Sequence, residues 1–148
     1  MTTDSQATTA LVGNGPVTLV LPPDASMVRV GRLTASSVAS LTNMSIDAIN
    51  DIKIAVSEMI TLLIESGQRS NVTLRFEATA SSFVVEASTP AASFDLGRND
   101  LALATAVLDA VCDSNEIAFH DDRILVRCVK ANEAVSASSG PVVSPNRI

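Results

Sequence analysis

Val72, Leu74 and Phe76 alternate with Thr73, Arg75 and Glu77. Successive side chains of a strand point to opposite faces, so this run has one apolar face and one polar face. A short turn around Ala80–Ser82 leads to a second run, Phe83-Val84-Val85-Glu86-Ala87, and the two read as a β-hairpin. A sheet with one face in water must cover the other face with helices. The pattern therefore predicts an α+β fold built as a two-layer sandwich.

The rest of the chain supplies the other elements. Val17, Leu19 and Leu21 form a first short strand that Pro22-Pro23 stops. Asp24 or Ser26 can cap a helix running to about Thr42. Its predicted core stripe is Val30, Leu33, Ser37/Val38 and Leu41, and Gly31 weakens it by about 1 kcal/mol relative to Ala. A second helix starts at the N-cap candidate Ser45 and ends at Gly67. Ile49, Val56, Ile60, Leu63 and Ile64 give it a core face that Ile52 and Met59 widen. After a loop with Pro90 and Gly97, a third helix spans about Asn99–Val111, with Leu101, Ala104, Leu108 and Val111 on one stripe. Strands at Glu116–Phe119 and Arg123–Val129 flank an Asp121-Asp122 turn. The predicted order is β-α-α-β-β-α-β-β.

Composition narrows the function classes. Hydrophobic residues are 47% of the 148, so a real core is expected, yet aromatics are 3%, with no Trp and no Tyr. The core must be aliphatic, and the stacking platforms of single-strand nucleic-acid binders are missing. A net charge of −6 also argues against a nucleic-acid partner and suits a basic protein surface. No apolar run reaches the ~18 residues of a membrane span, and Met1–Pro16 lacks the features of a signal peptide. A cytoplasmic protein with no membrane partner is expected. Cys112 and Cys128 are too few for a disulfide scaffold and lack C-x-x-C spacing, which predicts buried or reduced thiols, with a redox switch as the alternative. Residues 1–15 and 131–148, rich in Ser, Thr, Pro and Gly, read as flexible tails around a single domain at 16–130.

The segment from Asp51 to Leu62, D-I-K-I-A-V-S-E-M-I-T-L, carries a resemblance. It is similar to the nucleotide-site helix of the anti-sigma factor and switch-kinase branch of the GHKL (histidine-kinase-like, Bergerat-type) ATPases, roughly I-K-x-A-V-S-E-x-x-T-N-A. The predicted element order resembles that fold from about Val17 to Val129. The resemblance implies ATP held between the second helix, the hairpin and the third helix. It makes Glu58 the general-base candidate and gives the position four residues later, on the same helix face, to an Mg²⁺-binding Asn. Here that position is Leu62, which has no oxygen to offer a hard cation.

Other family positions also depart. The adenine-binding Asp and the Gly two residues on map to Ser88 and Pro90 in one register, or to Glu86 and Ser88 in the other. The Gly-x-Gly turn before the third helix is replaced by Asn99-Asp100-Leu101-Ala102-Leu103, and Asp100 would repel a phosphate. Glu58 thus survives as a vestigial catalytic candidate, and its plainer reading is a solvated helix residue. His120, the sole histidine, sits beside Asp121-Asp122 and reads as a surface turn rather than a metal ligand.

Arg29, Arg32 and Ser36 fall at i, i+3 and i+7 on the first helix and form a candidate partner-binding face, opposite its apolar stripe. Counting back from Glu58, Arg32 matches a family arginine that contacts both the sigma factor and its competing antagonist. The resemblance therefore implies an anti-sigma factor with a degenerate ATP site. Its implied partners are a sigma factor, an anti-sigma factor antagonist and a second copy of the chain as a homodimer. No cofactor is expected. ATP and Mg²⁺ enter only under the alternative of a serine/threonine protein kinase acting on the antagonist. A non-catalytic adaptor for another signalling protein is the third reading.

Overall fold

The two alternating runs pair as an antiparallel hairpin, β2 (Val72–Ala78) with β3 (Ser82–Pro90), and Phe76 lies opposite Val85. This computed structural model describes residues 15–132; the tail expectations for 1–14 and 133–148 fall outside them. The remaining elements are β1 (Val17–Leu21), α1 (Met27–Ala39), α2 (Ile46–Ser66), α3 (Asn99–Val111), β4 (Ser114–His120) and β5 (Arg123–Ala131). The order is β-α-α-β-β-α-β-β, as the sequence predicts. All five strands join one antiparallel sheet in the order β1-β2-β3-β5-β4.

One face of the sheet meets the helices. Val72, Leu74, Phe76, Phe83, Val85, Ala87, Ile124 and Val126 are buried there. The rings of Phe76 and Phe83 stack at 6.4 Å between centroids. The other face carries a charged row across four strands, Arg75, Glu86, Arg127 and Glu116, aligned by the register. Glu86 reaches Arg127 at 3.3 Å and Arg75 at 3.7 Å. Such half-exposed pairs add little stability, but they make an open sheet face that is satisfied in water. Asp121 and Asp122, both at positive φ, make the two-residue β4–β5 turn. His120 is exposed beside it, 3.2 Å from Asp121 Oδ2, in the expected surface turn.

The central helix, α2, follows its sequence signals. Ser45 Oγ accepts the Ala48 N–H at 3.1 Å, and the Gly67 N–H closes the other end on Leu63 O. Ile52, Val56, Met59, Ile60, Leu62 and Leu63 are buried along it. Each large aliphatic side chain removed from water contributes about 1.5–3 kcal/mol before entropy is counted. Gly67 packs against Thr89, whose hydroxyl bonds Asn71 O at 3.0 Å, so the helix end is seated on the end of β3.

The first helix departs from expectation. It ends at Ala39 rather than near Thr42, and Gly31, Ala35 and Ala39 form its buried line. The predicted core residues Val30, Leu33 and Leu41 are 39%, 60% and 58% exposed. Close approach explains the reversal. A side chain at position 31 would run into the Ile60 δ-methyl, so α1 packs onto α2 only along its smallest residues. Gly31 thus marks the closest approach of α1 to α2, where an added Cβ would have to displace the end of the Ile60 side chain.

The cysteine expectation is also corrected. Cys112 and Cys128 form a disulfide, with 6.0 Å between their Cα atoms. They are 16 residues apart in sequence, and the α3–β4–β5 topology returns the chain beneath the helix end. Both are buried, as the sequence predicts, but neither is a free thiol.

Candidate functional site

The α2 motif places Glu58 and Leu62 one turn apart, as i, i+4 spacing requires. Leu62 is only 3% exposed and belongs to the hydrophobic core. Glu58 is half-buried, and no hydrogen bond or ion pair holds its carboxylate among the described residues. A buried leucine therefore occupies the position where the resemblance implies a metal ligand, one turn from an acid with no partner among the described residues.

Strand β3 decides where the adenine-position candidates point. Its residues 83, 85, 87 and 89 are buried under the helices, so 86, 88 and 90 face the other way. Glu86 is engaged by Arg75 and Arg127 on the open face. Ser88 Oγ accepts a 2.8 Å hydrogen bond from Arg123 Nη2, and Pro90 is exposed. Both possible registers thus put their residues on the sheet face away from the helices, not between α2 and α3.

The start of α3 already holds an anion. Arg98 donates to the Asp100 carboxylate through Nε at 2.9 Å and again through Nη2. Its Nη1 donates to Ser66 Oγ at 2.8 Å, tying α3 to the last turn of α2. The guanidinium also stands 5.9 Å from the centre of the Phe94 ring. The Arg98 hydrogen bonds hold the Asp100 carboxyl below the usual carboxylate range, helped by the backbone N–H groups of Asp100 and Leu101. Asp100 reciprocally raises Arg98. Free N–H groups at a helix start attract phosphate, and here the Asp100 carboxylate held by Arg98 places a negative charge at that end. Sequence reading flagged Asp100 as repulsive. In the sequence, Gly97-Arg98 beside it is only a weak signal, because nothing local says that the guanidinium will bridge Ser66 32 residues away.

Arg29 and Arg32 are exposed on α1, and Ser36 is half-exposed beside them. Among the described residues neither arginine has an ion pair, nor do Lys53, Arg69 and Arg123, whereas Arg75, Arg98, Arg127 and Lys130 each have at least one. The exposed Val30 and Leu33 share this outer side of the helix. The expected separation of an arginine face from a buried apolar stripe is therefore replaced by one mixed surface. It has two unpaired guanidinium groups and two exposed aliphatic side chains. No group of three or more His, Cys, Asp or Glu residues is arranged to hold a metal among the described residues. No described helix is long and apolar enough to cross a membrane.

Comparison with known proteins agrees with this architecture. No protein-family model matches the sequence. The chain is 36% identical over 84 residues to the serine-protein kinase RsbW of Listeria innocua serovar 6a, covering 54% of this chain and 54% of the relative. Listeria monocytogenes serovar 1/2a has a serine-protein kinase RsbW with the same identity and coverage. The chain thus spans about half the length of the curated relatives it matches. Its structure superposes on the RsbU and RsbW domains of Rv1364c from Mycobacterium tuberculosis with a TM-score of 0.63 and 14% identity. That match covers 78% of this chain and 32% of the other, and it shows the fold.

Proposed function

We propose a function for a chain that is a distant homologue in the RsbW-like serine-protein kinase and anti-sigma factor branch of the GHKL superfamily. It acts as an anti-sigma factor that sequesters a sigma subunit by protein–protein contact, without turning over nucleotide. The observation that carries this reading is the outer face of α1. Among the described residues Arg29 and Arg32 have no ion pair, and they stand next to exposed Val30 and Leu33. Arginine pairs with carboxylates through two parallel hydrogen bonds, and exposed aliphatic groups gain from burial against a partner. An antagonist competing for the same face, and a second copy of the chain, complete the proposed set of partners.

Charge reversal tests the assignment. Arg32→Glu should weaken sigma binding by about 2–5 kcal/mol while changing domain stability by less than about 0.5 kcal/mol. Arg75→Glu, on the open sheet face, is the comparison. Binding lost with Arg75→Glu but kept with Arg32→Glu would move the interface to the sheet. Sedimentation of the free chain across a concentration series tests the homodimer.

Glu58, kept and accessible, favours the kinase as second reading, in keeping with the names of the relatives. Magnesium bridges phosphate oxygens in phosphoryl transfer, and Leu62 supplies no ligand for it. Weak or absent Mg-ATP binding is expected by calorimetry. A micromolar, magnesium-dependent affinity would favour the kinase instead.

A further inference from the structure

We propose that the Cys112–Cys128 disulfide is a reversible redox tether for α3. Its reduction loosens this helix while the rest of the domain stays folded. The inference stands apart from the identity of any partner.

Three observations support it. First, α3 is weakly anchored by its own packing, because only Leu101, Ala104 and Leu108 of its 13 residues are buried. Its position depends on ties at its two ends. The N-terminal tie is the Arg98–Ser66 hydrogen bond. At the C-terminal end, Lys130 Nζ donates to Val111 O at 3.0 Å, and the disulfide holds the next residue. Second, the disulfide joins elements of unequal security. Cys112 ends the helix, whereas Cys128 lies in β5, which pairs with a strand on each side. Breaking the bond leaves β5 in its sheet and frees the helix end. Third, the two residues differ in burial: Cys112 is 9% exposed and Cys128 is 2% exposed, so the helix half of the bond lies nearer the surface than the strand half.

The chemistry is thiol–disulfide exchange with a dithiol reductant. One reductant thiolate attacks Cys112 Sγ and forms a mixed disulfide. Cys128 Sγ leaves as a thiolate and takes up a proton. The second reductant thiol, after losing its proton, attacks its partner sulfur and releases Cys112 as a thiol. Two electrons pass from the reductant to the protein, which ends with two thiols, and the reductant ends as a disulfide. A low-molecular-weight disulfide drives the reverse reaction.

The test uses the full chain in dithiothreitol buffers of graded oxidised-to-reduced ratio. Alkylation with iodoacetamide and mass measurement should find no free thiol at the oxidised end and two at the reduced end, with the transition retraced on reoxidation. Amide hydrogen exchange should then show protection in residues 101–111 falling at least tenfold on reduction. Protection in β2 and β3 should be unchanged. Cys112→Ser/Cys128→Ser should show the reduced pattern in every buffer, and the reduced wild-type chain gives the same readout if that variant does not fold. Two free thiols under oxidising conditions would overturn the proposal. So would equal α3 protection in both states, or loss of protection throughout the sheet on reduction.

Discussion

Lys130 Nζ lies 2.9 Å from Asp51 Oδ2 and 3.0 Å from Val111 O, joining β5, α2 and the last turn of α3 at one point. The lysine is 8% exposed. A buried ammonium needs partners for its protons, and a helix end needs partners for its carbonyls, so one contact satisfies both.

Removing one side of that contact should cost more than removing both. Lys130→Met leaves Asp51 half-buried and Val111 O without its donor, and a loss of about 2–3 kcal/mol is expected. Asp51→Asn keeps a hydrogen-bonding side chain and should cost less. The double variant Asp51→Leu/Lys130→Met should be more stable than the sum of its singles. Urea unfolding of the wild-type chain, the two single variants Asp51→Leu and Lys130→Met, and the double variant measures the coupling. Strict additivity would mean the pair is not formed in solution.

Gly31 and Ile60 should also couple. Gly31→Ala gains about 1 kcal/mol of helix propensity but must displace the Ile60 δ-methyl in a packed core, which costs about 1–3 kcal/mol. Ile60→Val deletes that methyl. In the double variant the penalty of the alanine should disappear, for a coupling of about 1 kcal/mol by thermal or urea unfolding. A Gly31→Ala effect of the same size in the wild-type and Ile60→Val backgrounds would contradict the close approach.

Restoring the family residue should not restore the family chemistry. Leu62→Asn puts an amide into the apolar core and should destabilise the domain by at least about 2 kcal/mol. With the α3 start occupied by Asp100 and the β3 candidates facing away, calorimetry should detect no gain in Mg-ATP affinity. A stable Leu62→Asn chain that binds Mg-ATP would show the site to be one substitution from function.

Asp100 supplies a pH prediction. Its folded carboxyl is held below the ordinary value of 3.8, chiefly by Arg98. A depressed carboxylate contributes stability above its unfolded value and loses it as pH falls through the folded value. The Asp100 carboxyl carbon should therefore titrate below pH 3.8 by NMR. Arg98→Gln should move that midpoint upward. A midpoint that ignores Arg98→Gln would mean the ion pair does not persist in water.

Much of this architecture was legible in the residues. Period-two alternation at 72–77 and 83–87 specified the hairpin and its open face. Ser45 and Gly67 bounded the long helix, and the α3 stripe of Leu101, Ala104 and Leu108 is buried as read. Those signals are local, because a cap, a period or a turn is written within a few residues of where it acts. The motif from Asp51 to Leu62 likewise carries the resemblance to the RsbW-like relatives, with Leu62 where that resemblance implies an Asn. Tertiary structure decided what depends on distant partners. It turned Val30 and Leu33 outward, because the approach of α1 to α2 is set by Gly31 against Ile60, far along the chain. It paired Cys112 with Cys128, placed Lys130 on Asp51 79 residues away, and turned Glu86 and Ser88 to the solvent side. Periodicity reports that a side chain is apolar. Which apolar stripe is buried depends on which one lets two backbones come closest, and that is a property of both elements together.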